Sequence, residues 1–173
     1  MISIVPLTEE RLSEAIALVT EVFPPEYEFE PADEELAASL DPETHQDFLS
    51  RTGFRPTLQY WVALEAAAII GVVGLNEYKK DPDEIVWLGW FCVNERAKRQ
   101  GVGTKLLRFV IEEAKMRGKK TFRLYSSTDP DELYSHGFFK KFGFRLIHKE
   151  PFPGLEELDK LTFELNLTKA QVS

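Results

Sequence analysis

The chain has a single cysteine, Cys92, among its 173 residues, which excludes an internal disulfide framework and a cysteine-based zinc site. Histidine is almost as scarce. His45, His136 and His148 lie far apart, with no two at helical spacing, so no metal site is expected. No apolar run approaches the roughly 20 residues that span a bilayer, and the opening MISIVPLTEERL has no basic segment ahead of an apolar one. These absences predict a cytoplasmic chain with no membrane partner. There is no internal repeat, low-complexity stretch or evident interdomain linker, so residues 1–173 are expected to form one domain. Basic charge is also short. The 21 Lys and Arg against 29 Asp and Glu give a net charge of −8, which argues against nucleic acid as a main partner.

What is present is an ordinary globular composition rich in aromatics, with 43% apolar residues and 13 Phe. The charge is unevenly spread. Residues 1–90 carry 18 acidic and 5 basic side chains, whereas residues 91–173 carry 11 acidic and 16 basic ones. If the two halves supply different walls of one site, one wall suits a cation and the other an anion.

Periodicity orders the elements. Ile2–Val5 alternates as a short strand. Thr8 is placed to cap a helix whose stripe is Leu12, Ala15, Ile16, Val19 and Phe23, ended by Pro24-Pro25. The acidic stretch 26–50, broken by Pro31 and Pro42, predicts one or two short helices with mobile connections. Leu58–Leu64, Ala68–Tyr78 and Glu84–Val93 then read as an antiparallel meander. The period changes at Val102, where Leu106, Leu107, Val110, Ile111 and Ala114 mark a helix that ends at Gly118. Thr121–Tyr125 reads as a strand, Pro130–Phe142 as a helix, and Phe144–His148 and Leu161–Leu167 as final strands. The expected class is α/β (α+β), with a mixed, mostly antiparallel central sheet flanked by helices.

The segment Phe91-Cys92-Val93-Asn94-Glu95-Arg96-Ala97-Lys98-Arg99-Gln100-Gly101-Val102-Gly103-Thr104-Lys105 carries the chemistry. A strand ends in a basic loop with two glycines, and a helix begins at once. A helix start presents unpaired N–H groups and the positive end of its dipole, and glycine lets the backbone approach a phosphate. Lys98, Arg99 and Lys105 add positive charge there. The nucleotide-binding phosphate-loop pattern is absent, since no Gly-Lys-Ser/Thr follows, and Leu106 stands where a dinucleotide fingerprint needs its third glycine.

The run Lys98-Arg99-Gln100-Gly101-Val102-Gly103 resembles the Arg/Gln-x-x-Gly-x-Gly/Ala signature of the GCN5-related N-acetyltransferase superfamily, with Lys98 in the first position. Some 40 residues on, Phe138-Phe139-Lys140-Lys141-Phe142-Gly143-Phe144-Arg145 is similar to that family's second conserved segment. The resemblance implies acetyl-CoA as co-substrate, an amine as acceptor and an acetyltransferase fold over residues 2–167. By position, the backbone of Phe91, Cys92 and Val93 would pair with the pantetheine arm. The amides of Arg99, Gln100, Gly101, Val102, Gly103 and Thr104 would hold the pyrophosphate, with Lys98 at its edge. The amide of Val93 or Cys92 would face the oxyanion. Relatives dimerise through late strands, so Leu161–Leu167 is the segment on which a homodimer is expected.

Proton transfer is less clearly marked. The family's Tyr acid is Phe139 here, which cannot donate; Tyr134 and Tyr125 are the substitutes within range. The family's Glu base corresponds to Trp87, leaving Glu84 and Glu77 as strand-end carboxylates, Glu77 preferred because it follows an apolar run. Cys92 beside the thioester invites an acyl-enzyme reading, although a buried inert cysteine is the commoner outcome. Phe23, Tyr27, Phe29, Phe48, Phe54, Tyr60 and Trp61 come from the region where relatives place the acceptor, and suit a cationic, partly apolar small-molecule amine. The alternative is a non-catalytic acyl-CoA-binding or sensor protein of the same fold, which the missing Tyr and the Trp87 replacement favour.

Overall fold

The computed structural model describes residues 1–23 and 32–169. Its elements run β1 (Ile2–Pro6), α1 (Leu12–Val22), α2 (Ala32–Leu40), α3 (Gln46–Thr52), β2 (Gln59–Glu65), β3 (Ala68–Asn76), β4 (Ile85–Val93), α4 (Val102–Met116), β5 (Thr121–Ser127), α5 (Pro130–Lys141), β6 (Arg145–Phe152) and β7 (Leu155–Asn166). The strands make one seven-stranded sheet in the order β1-β2-β3-β4-β5-β7-β6. The β4–β5 pair is parallel and every other pair antiparallel. The expected sheet and meander are therefore present, and the stretch after α1 holds two short helices, α2 and α3, within the one or two expected.

Each face of the sheet carries its own core. Alternation along β2 and β3 sends Trp61, Ala63, Val73 and Leu75 to one side, where they meet Val102, Leu106, Leu107, Val110 and Ile111 of α4. Tyr60, Val62, Leu64 and Val72 go to the other side, against Ala15, Leu18 and Val19 of α1 and Leu36 of α2. The α1 stripe is thus shifted from the expected one, because Leu18 is buried while Ile16 and Phe23 only flank the cluster. Thr8 makes no capping bond; a 3-10 turn over Glu9–Arg11 precedes the helix instead. Pro24-Pro25 lies outside the described residues.

Two local features position the site. The first is a bulge in β4. Pairing runs Val73↔Phe91 and then Leu75↔Leu88, so Gly89 and Trp90 together oppose Gly74. The second is a splay. The parallel β4–β5 pairing covers only Ile85–Trp87 against Thr121–Arg123, although β4 continues to Val93 and β5 to Ser127. Beyond Trp87 the two strands part, and the sheet has an opening between them.

The segment Leu161–Leu167, expected to meet a second copy, is internal. β7 pairs with β5 on one side and β6 on the other, and Leu161, Phe163, Leu165 and Leu167 are buried in the main core. No helix among the described residues is long and apolar enough to cross a membrane.

Candidate functional site

The opening is bounded on one side by the second half of β4, and register decides which of its amides face it. The Asn94 N–H is donated to the Ile70 carbonyl of β3 at 2.8 Å. Residues 92 and 94 therefore direct their backbone groups to β3, and the alternation of a strand turns those of Phe91 and Val93 the other way, toward the opening. Of the two amides considered for an oxyanion, Val93 is free to serve and Cys92 is committed to the sheet.

Past Asn94, whose side chain accepts from the Arg96 N–H at 2.9 Å, a 3-10 turn over Glu95–Ala97 leads into the loop. The loop reverses through two left-handed residues, Arg99 at φ 67° and Gly101 at φ 80°. Helix α4 then starts at Val102, and its first internal bond is Lys105 N–H to the Gly101 carbonyl at 3.0 Å. The amides of Val102, Gly103 and Thr104 thus have no carbonyl in their own helix. The first turn holds no acidic residue to compete for them.

Gly101 needs to be glycine for its φ. Gly103 does not. A Cβ there would meet Phe91, Val93 and Phe138 only at ordinary contact distances of 3.6–3.8 Å. The missing methyl leaves room where the start of α4 meets the Phe91 and Val93 side chains at the end of β4, a seam between helix and strand.

The two helices on that face finish the cleft differently from one another. α5 is capped by the Asp129 side chain, which accepts from the Asp131 N–H at 2.9 Å, and carries Pro130 at its start. Its Phe138 stacks on Phe91 at 6.1 Å between ring centroids, with an interplanar angle of 12°. Phe139 is buried and packs on Phe91, Phe138 and Phe144, so the residue at the family's Tyr position supports the cleft wall from behind. Tyr134 is exposed and lies beside Lys98, whose ammonium pairs with Glu95 at 2.7 Å. The Glu95 hydrogen bond, assisted by Tyr134, holds the Lys98 pKa above its usual value. The structure therefore brings Tyr134 to the loop. Tyr125 is half exposed and its ring faces Lys160.

The carboxylates expected to act as base are elsewhere. Glu77 is buried, pairs with Lys119 and accepts from the Thr57 hydroxyl at 2.9 Å. Glu84 pairs with Lys120 at 3.6 Å, and its carbonyl accepts the N–H groups of Lys120 and Thr121. Both lie where β4 and β5 are still joined, with Glu84 five residues, or roughly 16 Å of strand, before the bulge. The sequence places them on the right strands, but strand direction carries them to the closed end. Trp87, at the family's Glu position, donates its indole N–H to Asp81 at 2.7 Å.

Cys92 is buried, and burial pushes its thiol up to about 12, so at neutral pH it is neither thiolate nor nucleophile. His136 lies 3.0 Å from the Ser126 hydroxyl, which also donates to Glu132 at 2.8 Å. Glu132 further accepts from the Ser127 N–H at 2.7 Å, so this group ties β5 to α5. The aromatics expected at the acceptor site divide. Phe48 and Phe54 form a separate small core, Trp61 packs in the main core against Phe109, and Tyr27 and Phe29 lie outside the described residues. Phe23 and Tyr60 remain, Phe23 with its ring 5.3 Å from Trp90.

The sequence reading missed Glu35. It is buried on the inner face of α2, beside Ala32 and Leu36, and accepts from the Asn76 amide at 2.7 Å. The spacing of Ala32, Leu36 and Leu40 was the available signal, since it turns position 35 toward the sheet.

The fold and the loop can be set beside known proteins. The family model described as the acetyltransferase (GNAT) family matches residues 16–144. The chain is 34% identical over 85 residues to the probable N-acetyltransferase camello of Xenopus laevis, covering 47% of this chain and 38% of that protein's length. Among solved structures, it resembles a GNAT-family protein from Desulfovibrio desulfuricans with a TM-score of 0.77 at 15% identity, covering 97% of this chain and 100% of that one. An aminoglycoside 6'-N-acetyltransferase complexed with coenzyme A gives a TM-score of 0.73 at 14% identity, covering 98% of this chain and 99% of that one. The family match spans both the strands that splay and the glycine loop between β4 and α4, and with it the chain belongs to the acetyltransferase (GNAT) family.

Proposed function

We propose that this chain is an N-acetyltransferase that moves the acetyl group of acetyl-CoA onto the primary amine of a small molecule, with both substrates bound at once. The single observation carrying this is the junction of the β4–β5 opening with the α4 start, where three amides have no carbonyl in their own helix and Gly103 puts no Cβ against the Phe91 and Val93 side chains of the splayed strand.

In this reading the amides of Val102 to Thr104, with those of Arg99 to Gly101 leading in, take the pyrophosphate, and Arg99 and Lys98 add charge at its edge. Phe91 and Val93 pair with the pantetheine amides as an added strand would. The Val93 N–H stabilises negative charge on the thioester oxygen as the amine attacks. Holding two reactants in line supplies much of the rate. The C–N bond forms as the C–S bond breaks, and the departing thiolate takes a proton, for which Tyr134, beside Lys98 of the loop, is the expected donor. Similarity to an enzyme that acetylates aminoglycosides, and the acidic surroundings of the opposite face, support a small cationic acceptor.

The test is release of coenzyme A thiol from acetyl-CoA across a panel of primary amines. Amine-dependent release is expected, with release at or below the rate of hydrolysis when amine is omitted. Retained coenzyme A binding with no release for any amine would instead assign the chain as an acyl-CoA-binding protein, the role that a phenylalanine at position 139 would suit.

A further inference from the structure

The bulge in β4 sets the phase of every residue after it. Pairing with β3 runs Leu75↔Leu88 before the bulge and Val73↔Phe91 after it. Were the first pairing continued without the extra residue, Val73 would oppose Trp90 and Val72 would oppose Phe91. A slip of one residue exchanges the two faces of a strand, and with them the directions of its amides. The Phe91 and Val93 amides would then bond to β3. Their side chains would leave the main core under α4 and take the place that Trp90 and Cys92 hold on the α1 side. The two amides turn to the opening only because Gly89 and Trp90 together oppose Gly74.

A bulge takes a residue out of the ladder, and its N–H must find another partner. Here the partner comes from β2. The Trp90 N–H donates to the Tyr60 hydroxyl at 3.0 Å. Tyr60 stands opposite Gly74 in the β2–β3 pairing, and its ring crosses β3 at that point. A Cβ on Gly74 would meet the ring at 2.2 Å, and a Cβ on Gly89 would meet the hydroxyl at 2.4 Å. One glycine on each strand of the bulge thus clears the path by which a β2 side chain reaches β4. Tyr60 is fully buried. Burial, and then the nearby Glu35 carboxylate of α2, raise its pKa well above the usual phenol range, so the hydroxyl keeps its proton. Asn76, at the end of β3, donates to Glu35 at 2.7 Å and fixes that carboxylate in place.

We propose that Tyr60 is a positioning residue for acetyl transfer, which pins the β4 bulge through the Trp90 N–H and so keeps the Phe91 and Val93 amides turned toward the pantetheine arm and the thioester. The proposal rests on the acetyl-transfer reading above and adds what holds the donor-side strand in phase. Tyr60 acts through β4 and touches neither substrate. Without its hydroxyl, the Trp90 N–H regains a partner in the sheet only where the bulge moves, and moving the bulge turns the two amides away. The loop lies outside this effect, because the amides of Val102, Gly103 and Thr104 are directed by the start of α4. Loss of the hydroxyl therefore acts on the pantetheine half of the donor and spares the diphosphate half.

The test is calorimetric titration of the full wild-type chain and of Tyr60→Phe with coenzyme A and with ADP, which carries a diphosphate but no pantetheine arm. Coenzyme A should bind the folded variant about tenfold or more weakly, and ADP as it binds the wild type. Amide hydrogen exchange read by NMR should show Trp90 opened in the variant, while the amides of β2 and β3 keep their protection. A tyrosine that only filled the core would leave both affinities unchanged or lower both together, and either result overturns the proposal. Unchanged protection of Trp90 overturns it as well, and this readout decides the matter even where ADP binds too weakly to titrate. Should Tyr60→Phe not fold, Gly89→Ala, whose Cβ displaces the hydroxyl, carries the same comparison. A wild-type chain that binds no coenzyme A would defeat the acetyl-transfer reading itself, so the two failures are told apart.

Discussion

Three glycines, Gly74 on β3 and Gly101 and Gly103 at the start of α4, differ in what a methyl group would meet, and each difference is measurable. At Gly74 a Cβ would stand 2.2 Å from the Tyr60 ring, which is fully buried and has nowhere to go. Gly74→Ala should therefore cost about 1–3 kcal/mol or more in urea unfolding. At Gly101 there is open space but a φ of 80°, so alanine should cost about 1–2 kcal/mol. At Gly103 neither obstacle exists, and alanine inside a helix should be neutral or gain roughly 0.5–1 kcal/mol. Yet Gly103→Ala should weaken acetyl-CoA binding about tenfold, because the methyl fills the seam. Unchanged binding in that variant would mean the seam is not where the ligand runs. The position of Gly103 at a helix start after a strand was legible in the sequence; the constraint on Gly74 was not, because only the fold brings Tyr60 across to it.

Strand direction explains which element-level expectations were met. The helices α4 and α5 follow from stripes and punctuation, since Gly118 at φ 76° ends one and Asp129-Pro130 starts the other. The meander was readable from β-branched runs, but not its β2–β3 turn, which Ala66 and Ala67 make at φ 49° and 68° without the usual Asn-Gly. The splay of β4 from β5 left no mark in composition, and so Glu77 looked like a cleft residue when it is a clamp. With Lys119 it joins the end of β3 to the start of β5 at the closed end of the opening. Both side chains are largely buried, 8% and 11% exposed. Glu77→Gln should thus destabilise the chain by roughly 3 kcal/mol by leaving a buried ammonium without its carboxylate. Acetyl transfer by the folded fraction should be unchanged at every pH. Loss of transfer without loss of stability would restore Glu77 as the base.

At the scale of the whole molecule, the uneven charge of the sequence becomes a division between faces. The acidic first half supplies α1, α2 and α3, of which α1 and α2 pack on one side of the sheet. The more basic second half supplies α4 and the glycine loop on the other. On the acetyl-transfer reading proposed above, the basic face would hold the anionic donor and the acidic face would attract a cationic acceptor. The sequence held the two charges but not the opening, and hence the glycine loop stood out by its spacing while the buried Glu35 read as one acid among many.

The central claim is that the α4 start and the splayed end of β4 hold acetyl-CoA, and its most direct test is thermal unfolding of the wild-type chain titrated with acetyl-CoA, ATP and NAD in parallel. A ligand that binds only the folded chain adds about 2.7 kcal/mol of stability at a hundredfold excess over Kd. The account expects a saturable rise in melting temperature with acetyl-CoA, a weaker one with ATP through its phosphates alone, and none with NAD. A shift with ATP or NAD and none with acetyl-CoA would contradict it.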